Sequence, residues 1–156
     1  MQRVLIDNQT KSSIDDWIDR VIGQIRVEMH NNNLNASGNL SRSLEGVVGD
    51  DEIKILADPY FLYAEKGRDK GKVPRNFIDI LQQWANDKRV GYPNDQKKQR
   101  TFAFFIMRKI KKFGSYKWRN PSARQDVVGG VLNKELPELN KIVENRIVLY
   151  INDNLF

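Results

Sequence analysis

Ile14, Trp17, Ile18, Val21, Ile22, Ile25 and Met29 recur at helical spacing near the start of the chain. That spacing sets them on one stripe of an amphipathic helix. A stripe of this length must be covered by other elements, so it fixes the core to which the rest of the chain answers. Ser12 or Ser13 is placed to cap the helix, with Asp15 and Asp16 in its first turn, where the helix dipole favours acidic groups. Asn31-Asn32-Asn33 ends it. A short strand-like segment, Arg3–Ile6, precedes it.

Ser37-Gly38 then breaks the chain, and Leu40 and Leu44 suit one or two helical turns. Gly46-Val47-Val48-Gly49, Asp50-Asp51 and Glu52-Ile53-Lys54-Ile55-Leu56 read as a β-hairpin, because Ile53 and Ile55 alternate with Glu52 and Lys54 as a half-buried strand requires. Pro59 opens a short aromatic helix, Tyr60 to Lys66, stopped by Gly67. A basic, glycine-bearing loop follows, and Pro74 suits the first position of the next helix. That helix carries Phe77, Ile78, Leu81, Trp84 and Ala85 on one face and fades at Asp87–Arg89. After the turn Gly91–Asp95 comes a basic helix with Phe102, Phe105, Ile106, Ile110 and Phe113 on one side and Gly114 as its stop. Ser115–Pro121 reads as a loop. From Asp126 the pattern is helical again, with an interruption expected at Gly129-Gly130 and a restart before Pro137. Leu139, Ile142, Val143, Ile147, Tyr150 and Ile151 form the last stripe, and its end is compatible with helix or strand. The expected fold is α+β: a small antiparallel sheet, made by the hairpin, packed against several amphipathic helices. With 156 residues and no internal boundary, repeat or low-complexity tract, residues 1–156 are expected to form a single structural domain.

Composition narrows the function. No apolar run approaches the roughly 20 residues that cross a bilayer. Met1–Lys11 lacks a signal-peptide core, because Asp7 and Asn8 follow Val4-Leu5-Ile6 at once. No membrane partner is expected. There is no cysteine, hence no disulfide, thiolate nucleophile or cysteine metal site. The single histidine, His30, cannot build a His cluster or a Ser-His-Asp relay. Its place at a helix C-terminus is explained by the terminal carbonyls.

Two further fragments invite chemistry. Asp50, Glu52 and Lys54 resemble part of the metal site of restriction-type nucleases, but Asp50 sits in the turn and a solvent-facing hairpin edge carries the same residues. Gly67–Lys72 lacks phosphate-loop spacing, and Val73 follows Lys72 where Ser or Thr is needed. It reads as a flexible basic loop. No catalytic, cofactor-binding or metal-binding residue is assigned, no cofactor is expected, and the chain is read as not an enzyme.

The charge is strongly divided. Lys66–Arg124 holds 17 Lys and Arg against 4 Asp and Glu, whereas the remainder holds 9 against 16. Such a chain can present a basic face to nucleic acid, or its copies can meet head to tail. The candidate basic surface comprises Arg68, Lys70, Lys72 and Arg75, then Arg108, Lys109, Lys111 and Lys112, with Arg100 before them. Lys117, Trp118 and Arg119 add an aromatic among cations, as nucleic-acid stacking platforms do. A solvated face opposite a core stripe gives the same pattern. No helix-turn-helix or finger signature accompanies it, so subunit contact or a weak, non-specific DNA-facing surface is expected rather than sequence readout. Tyr60, Phe61, Tyr63, Tyr92, Tyr116 and Trp118 lie near loops, as core rings or as interface anchors.

Three short motifs occur in a fixed order: Ser37-Gly38-x-Leu40-x-x-Ser43, then Tyr60-x-x-Tyr63-x-Glu65-x-Gly67, then Ile106-x-Arg108-x-Ile110-x-x-x-Gly114. Over Leu34–Gly114 this succession resembles the tail-completion, or neck, proteins of tailed bacteriophages, with a looser likeness in the C-terminal helices. The chain departs from that pattern after Gly114, where Ser115-Tyr116-Lys117-Trp118 stands in place of a Thr-led polar loop. The resemblance implies a structural virion protein of the head–tail connector, assembled in the bacterial host cytoplasm, with no catalytic residue to carry over. It implies a homo-oligomeric ring of about six or twelve copies, as closed head-to-tail packing requires. Its partners would be portal, connector or tail proteins, with packaged DNA in the channel as a further contact. A non-specific DNA-binding accessory protein and a metal-dependent nuclease are the alternative readings.

Overall fold

The computed structural model describes residues 7–35, 37–50 and 52–155, with side chains as far as residue 145. The elements are α1 (Asn8–Asn31), α2 (Asn39–Arg42), β1 (Glu45–Val48), β2 (Ile53–Leu56), α3 (Tyr60–Lys66), α4 (Phe77–Asp87), α5 (Gln96–Phe113), α6 (Tyr116–Arg119), a 3-10 turn (Pro121–Ala123) and α7 (Val127–Leu155). The fold is α+β, mainly helical, with one small antiparallel hairpin packed against helices. Arg3–Ile6, expected as a strand, lies outside the described residues, as do the side chains of Ile147, Tyr150 and Ile151. Contacts divide the chain into two compact units interleaved in sequence: residues 1–32, 42–57 and 127–156 form the first, and residues 33–41 and 58–126 the second. The sequence shows no boundary between them because each unit is assembled from separated stretches.

The first unit is built on α1. All seven stripe residues, Ile14 to Met29, are buried. The helix starts earlier than its apolar pattern: Asp7 is the N-cap, its Oδ1 accepting from Thr10 N at 2.7 Å. Ser12 and Ser13 are therefore inside the helix, where Ser13 Oγ bonds back to Gln9 O. Asp15 and Asp16 lie beyond the first turn, on the exposed side. The other long helix, α7, packs along α1. Trp17 Nε1 donates to Glu135 O at 3.1 Å, and Arg20 pairs with Glu138 at 2.8 Å.

Gly129-Gly130 does not interrupt α7, contrary to the sequence expectation; the helix is continuous through both glycines and through Pro137. Val127 and Val131 are buried just beside the glycines, and packing of this kind outweighs local propensity. Its backbone remains helical to Leu155. The hairpin has the register Glu45↔Leu56, Gly46↔Ile55, Val47↔Lys54 and Val48↔Ile53. Gly46 lies directly on Ile18, where a Cβ would come within 2.8 Å of its side chain, so the sheet can approach α1 only without a side chain there.

The second unit centres on α4 against α5. Phe77, Leu81 and Ala103 form its buried cluster, flanked by Val73, Ile78, Ile80, Ile106, Met107 and Ile110. Pro74 begins a turn rather than the helix itself: Phe77 N donates to Pro74 O, and α4 starts at Phe77. Asp95 caps α5 through Lys98 N. The buried face of α5 differs from the expected stripe. Gln99 and Ala103 are fully buried, whereas Phe105 is 62% and Phe113 51% exposed. Ser115–Pro121 is not wholly a loop, since Tyr116–Arg119 makes one helical turn.

Candidate functional site

The second unit carries 17 Lys and Arg against 7 Asp and Glu; the first carries 9 against 13. The basic excess is thus a property of one structural unit, and its arrangement follows from how α3 and α5 end. Gly67 and Gly114 terminate these helices at φ +82 and +79, both with ψ near 170, a region open essentially to glycine alone. The two termini meet. A Cβ on Gly67 would lie 2.5 Å from Trp118 N, and one on Gly114 would lie 3.2 Å from Arg68 O. Ser115 N donates to Arg68 O, Arg68 N donates to Ser115 Oγ, both at 2.8 Å, and Gly71 N donates to Lys111 O at 2.9 Å.

The segment read as a flexible loop is therefore fastened at both ends of residues 68–71. It brings the Arg68–Lys72 segment beside the C-terminal turn of α5, where Lys111 and Lys112 stand. Cations there are favoured by the carbonyl end of the helix.

The individual residues divide into two groups. Lys70, Lys72, Arg75, Arg108, Lys109, Lys111, Lys112, Trp118 and Arg119 are exposed. Arg68 and Lys117 are half-buried and engaged internally. The Arg68 guanidinium lies 4.5 Å from the Tyr63 ring centroid and 5.3 Å from that of Phe77. Lys117 Nζ donates to Ala64 O and to Gln125 Oε1. Its basic pKa is lowered by desolvation; nearby Glu65 opposes this and Lys88 reinforces it. Lys88, absent from the sequence-derived set, holds Asn33 O, Asn33 Oδ1 and Asn35 O, and desolvation lowers its pKa too. Both lysines line an open groove of about 1230 Å³ with Tyr60, Tyr63 and Trp84. They serve there as clamps on backbone carbonyls. Burial raises the Tyr60 hydroxyl pKa, with Arg68 pulling the other way. Arg100 also has a partner, Asp79 at 2.6 Å.

Exposed rings accompany exposed cations, of which Arg124 also donates to Lys117 O and Trp118 O. Arg108 lies 5.9 Å from the Phe104 centroid, Lys112 5.0 Å from that of Phe113, and Arg124 4.9 Å from that of Trp118. Tyr92 and Tyr116 are open to solvent, whereas Phe61 is core. Phe104, Phe105, Phe113 and Arg124 were missing from the sequence-derived surface. An exact 3.6-residue projection of α5 would have moved Phe105 off the Ala103/Met107/Ile110 face. The glycines of two motifs, Gly67 and Gly114, are the residues that cross, and Glu65, two residues before Gly67, is 3% exposed with its carbonyl accepting from Gln125 N.

Glu52 pairs with Lys54 across one residue of β2's edge. Among the described residues no three His, Asp or Glu side chains gather as metal ligands, and no helix is long and apolar enough to cross a membrane. His30 stands in the last turn of α1. No family model, curated protein or solved structure matches this chain.

Proposed function

We propose that this chain is a structural subunit of a tailed-phage head–tail connector, acting by assembly into a homo-oligomeric ring between portal and tail. The observation that carries the reading is the crossing of Gly67 and Gly114. Two of the three ordered motifs thereby become one structural joint, and that joint presents cations and rings outward. Large exposed aromatics beside arginine are what protein interfaces use as anchors. The opposite charge balance of the two units supports head-to-tail contact between copies.

Electron microscopy and light scattering of the purified protein under assembly conditions, alone and with portal or tail proteins, test the reading. Rings, or incorporation into a connector, are expected. A strictly monomeric protein that never joins those partners counts decisively against it. A second reading, a non-specific DNA-binding accessory protein, is favoured by the three exposed cation–ring pairs. It requires tight duplex binding without other virion proteins and a steep loss of affinity with salt.

A further inference from the structure

Gly23 occupies the middle of α1, 15 residues after its first residue, and a Cβ there would meet nothing within 4 Å. Glycine is the costliest interior helix residue after proline, and nothing in the subunit's own packing requires it. Every fourth residue along the same exposed line is Asp15, Asp19, Gly23 and Val27. Val27 is 58% exposed, and Asp15 and Asp19 make no ion pair among the described residues. The outward line of α5 is Thr101, Phe105, Arg108 and Lys112, all exposed.

We infer that these two lines bind each other between copies: the outer face of α5 in one subunit docks antiparallel on the outer face of α1 in the next. Each line extends about 16–18 Å at 1.5 Å per residue. Run antiparallel, they set Lys112 against Asp15, Arg108 against Asp19, and Phe105 against Gly23, with Thr101 beside Val27. The i,i+4 spacing of the two carboxylates matches that of the two cations. The bare backbone at Gly23 receives the most exposed ring of α5, and side-chain-free positions of this kind let helices approach closely. The contact is heterologous, joining the α5 face of one copy to the α1 face of the next, so it can propagate from copy to copy and close into a ring.

This inference rests on the ring-subunit reading and specifies its interface. Sedimentation velocity at low salt, paired with thermal melting, tests it on three variants. Gly23→Leu is expected to melt no lower than the native protein while self-associating at least tenfold more weakly. Asp15→Lys/Asp19→Lys and Arg108→Asp/Lys112→Asp are each expected to abolish association, and an equimolar mixture of these two reversed proteins is expected to restore it pairwise. Rings that form unchanged in all variants overturn the interface and leave the ring reading standing. Loss of duplex-DNA binding in the Arg108→Asp/Lys112→Asp protein with self-association intact also overturns it, by assigning the α5 face to nucleic acid. Native protein that remains monomeric at every concentration and salt overturns both.

Discussion

Gly67 and Gly23 show how one residue type serves opposite ends. At Gly67 both the backbone angle and the space forbid a side chain. Gly67→Ala is expected to lower stability by at least about 2 kcal/mol, combining a strained backbone with a clash against Trp118 N. Gly23→Ala is expected to raise it by about 1 kcal/mol through helix propensity alone. Urea unfolding followed by circular dichroism reads both. Lys88 and Lys117 give a pH signature. Their folded pKa values lie below the ordinary lysine value of 10.5, so in the window beneath 10.5 the unfolded chain binds more protons than the folded one. Stability from these two groups therefore rises with pH through that window and is fully present above it. The stability difference between native protein and Lys88→Met/Lys117→Met should grow in favour of the native protein from neutral pH towards 10.5. A flat difference across that range shows that the ammonium groups are fully solvated. None of these roles was legible in the sequence. Lys117 looks like its neighbours Lys111 and Lys112 until the fold turns it towards Ala64 O. Gln99, in a run of lysines and glutamines, is fully buried because it accepts from Tyr92 N and donates to Val90 O across the turn before α5.

Periodicity located the elements well and assigned their faces unevenly. The α1 stripe was readable residue by residue, because seven apolar side chains on a polar background admit one solution. The hairpin was readable from the alternation around Ile53 and Ile55 with the Asp50 turn between strands, although only Ile55 is half-buried and Ile53 is exposed. In α5, phenylalanines at 102, 104, 105 and 113 surround the helix, and apolar character alone does not say which of them face α4. The helix settles on its smallest residue: Ala103, fully buried, allows close approach to Phe77 and Leu81. Ala103→Leu is expected to cost about 1–3 kcal/mol by overpacking that contact. Phe105→Ser should change stability by less than about 0.5 kcal/mol, since its ring lies in solvent within the subunit. Thermal melts of the two variants distinguish them. If Phe105→Ser were the damaging change, the face assignment of α5 would be reversed. The continuity of α7 was illegible for a related reason: Gly129, Gly130 and Pro137 are local breakers, and only packing along α1 overrides them.

At the scale of the whole molecule, charge was legible as an amount and not as a shape. The sequence divides it at Lys66 and Arg124; the fold gathers it onto one compact unit and concentrates exposed cations and rings around the ends of α3 and α5. In the ring proposed above, the acidic excess of the first unit would face this basic surface on the next copy. The measurement that bears hardest on this is native mass spectrometry of the purified protein across concentration. A closed assembly gives one discrete mass, an integer multiple of the 18.2 kDa subunit, which salt dissociates. That result is expected. A monomer at all concentrations, or an open-ended ladder of masses insensitive to salt, rules out a closed ring held by opposite charge.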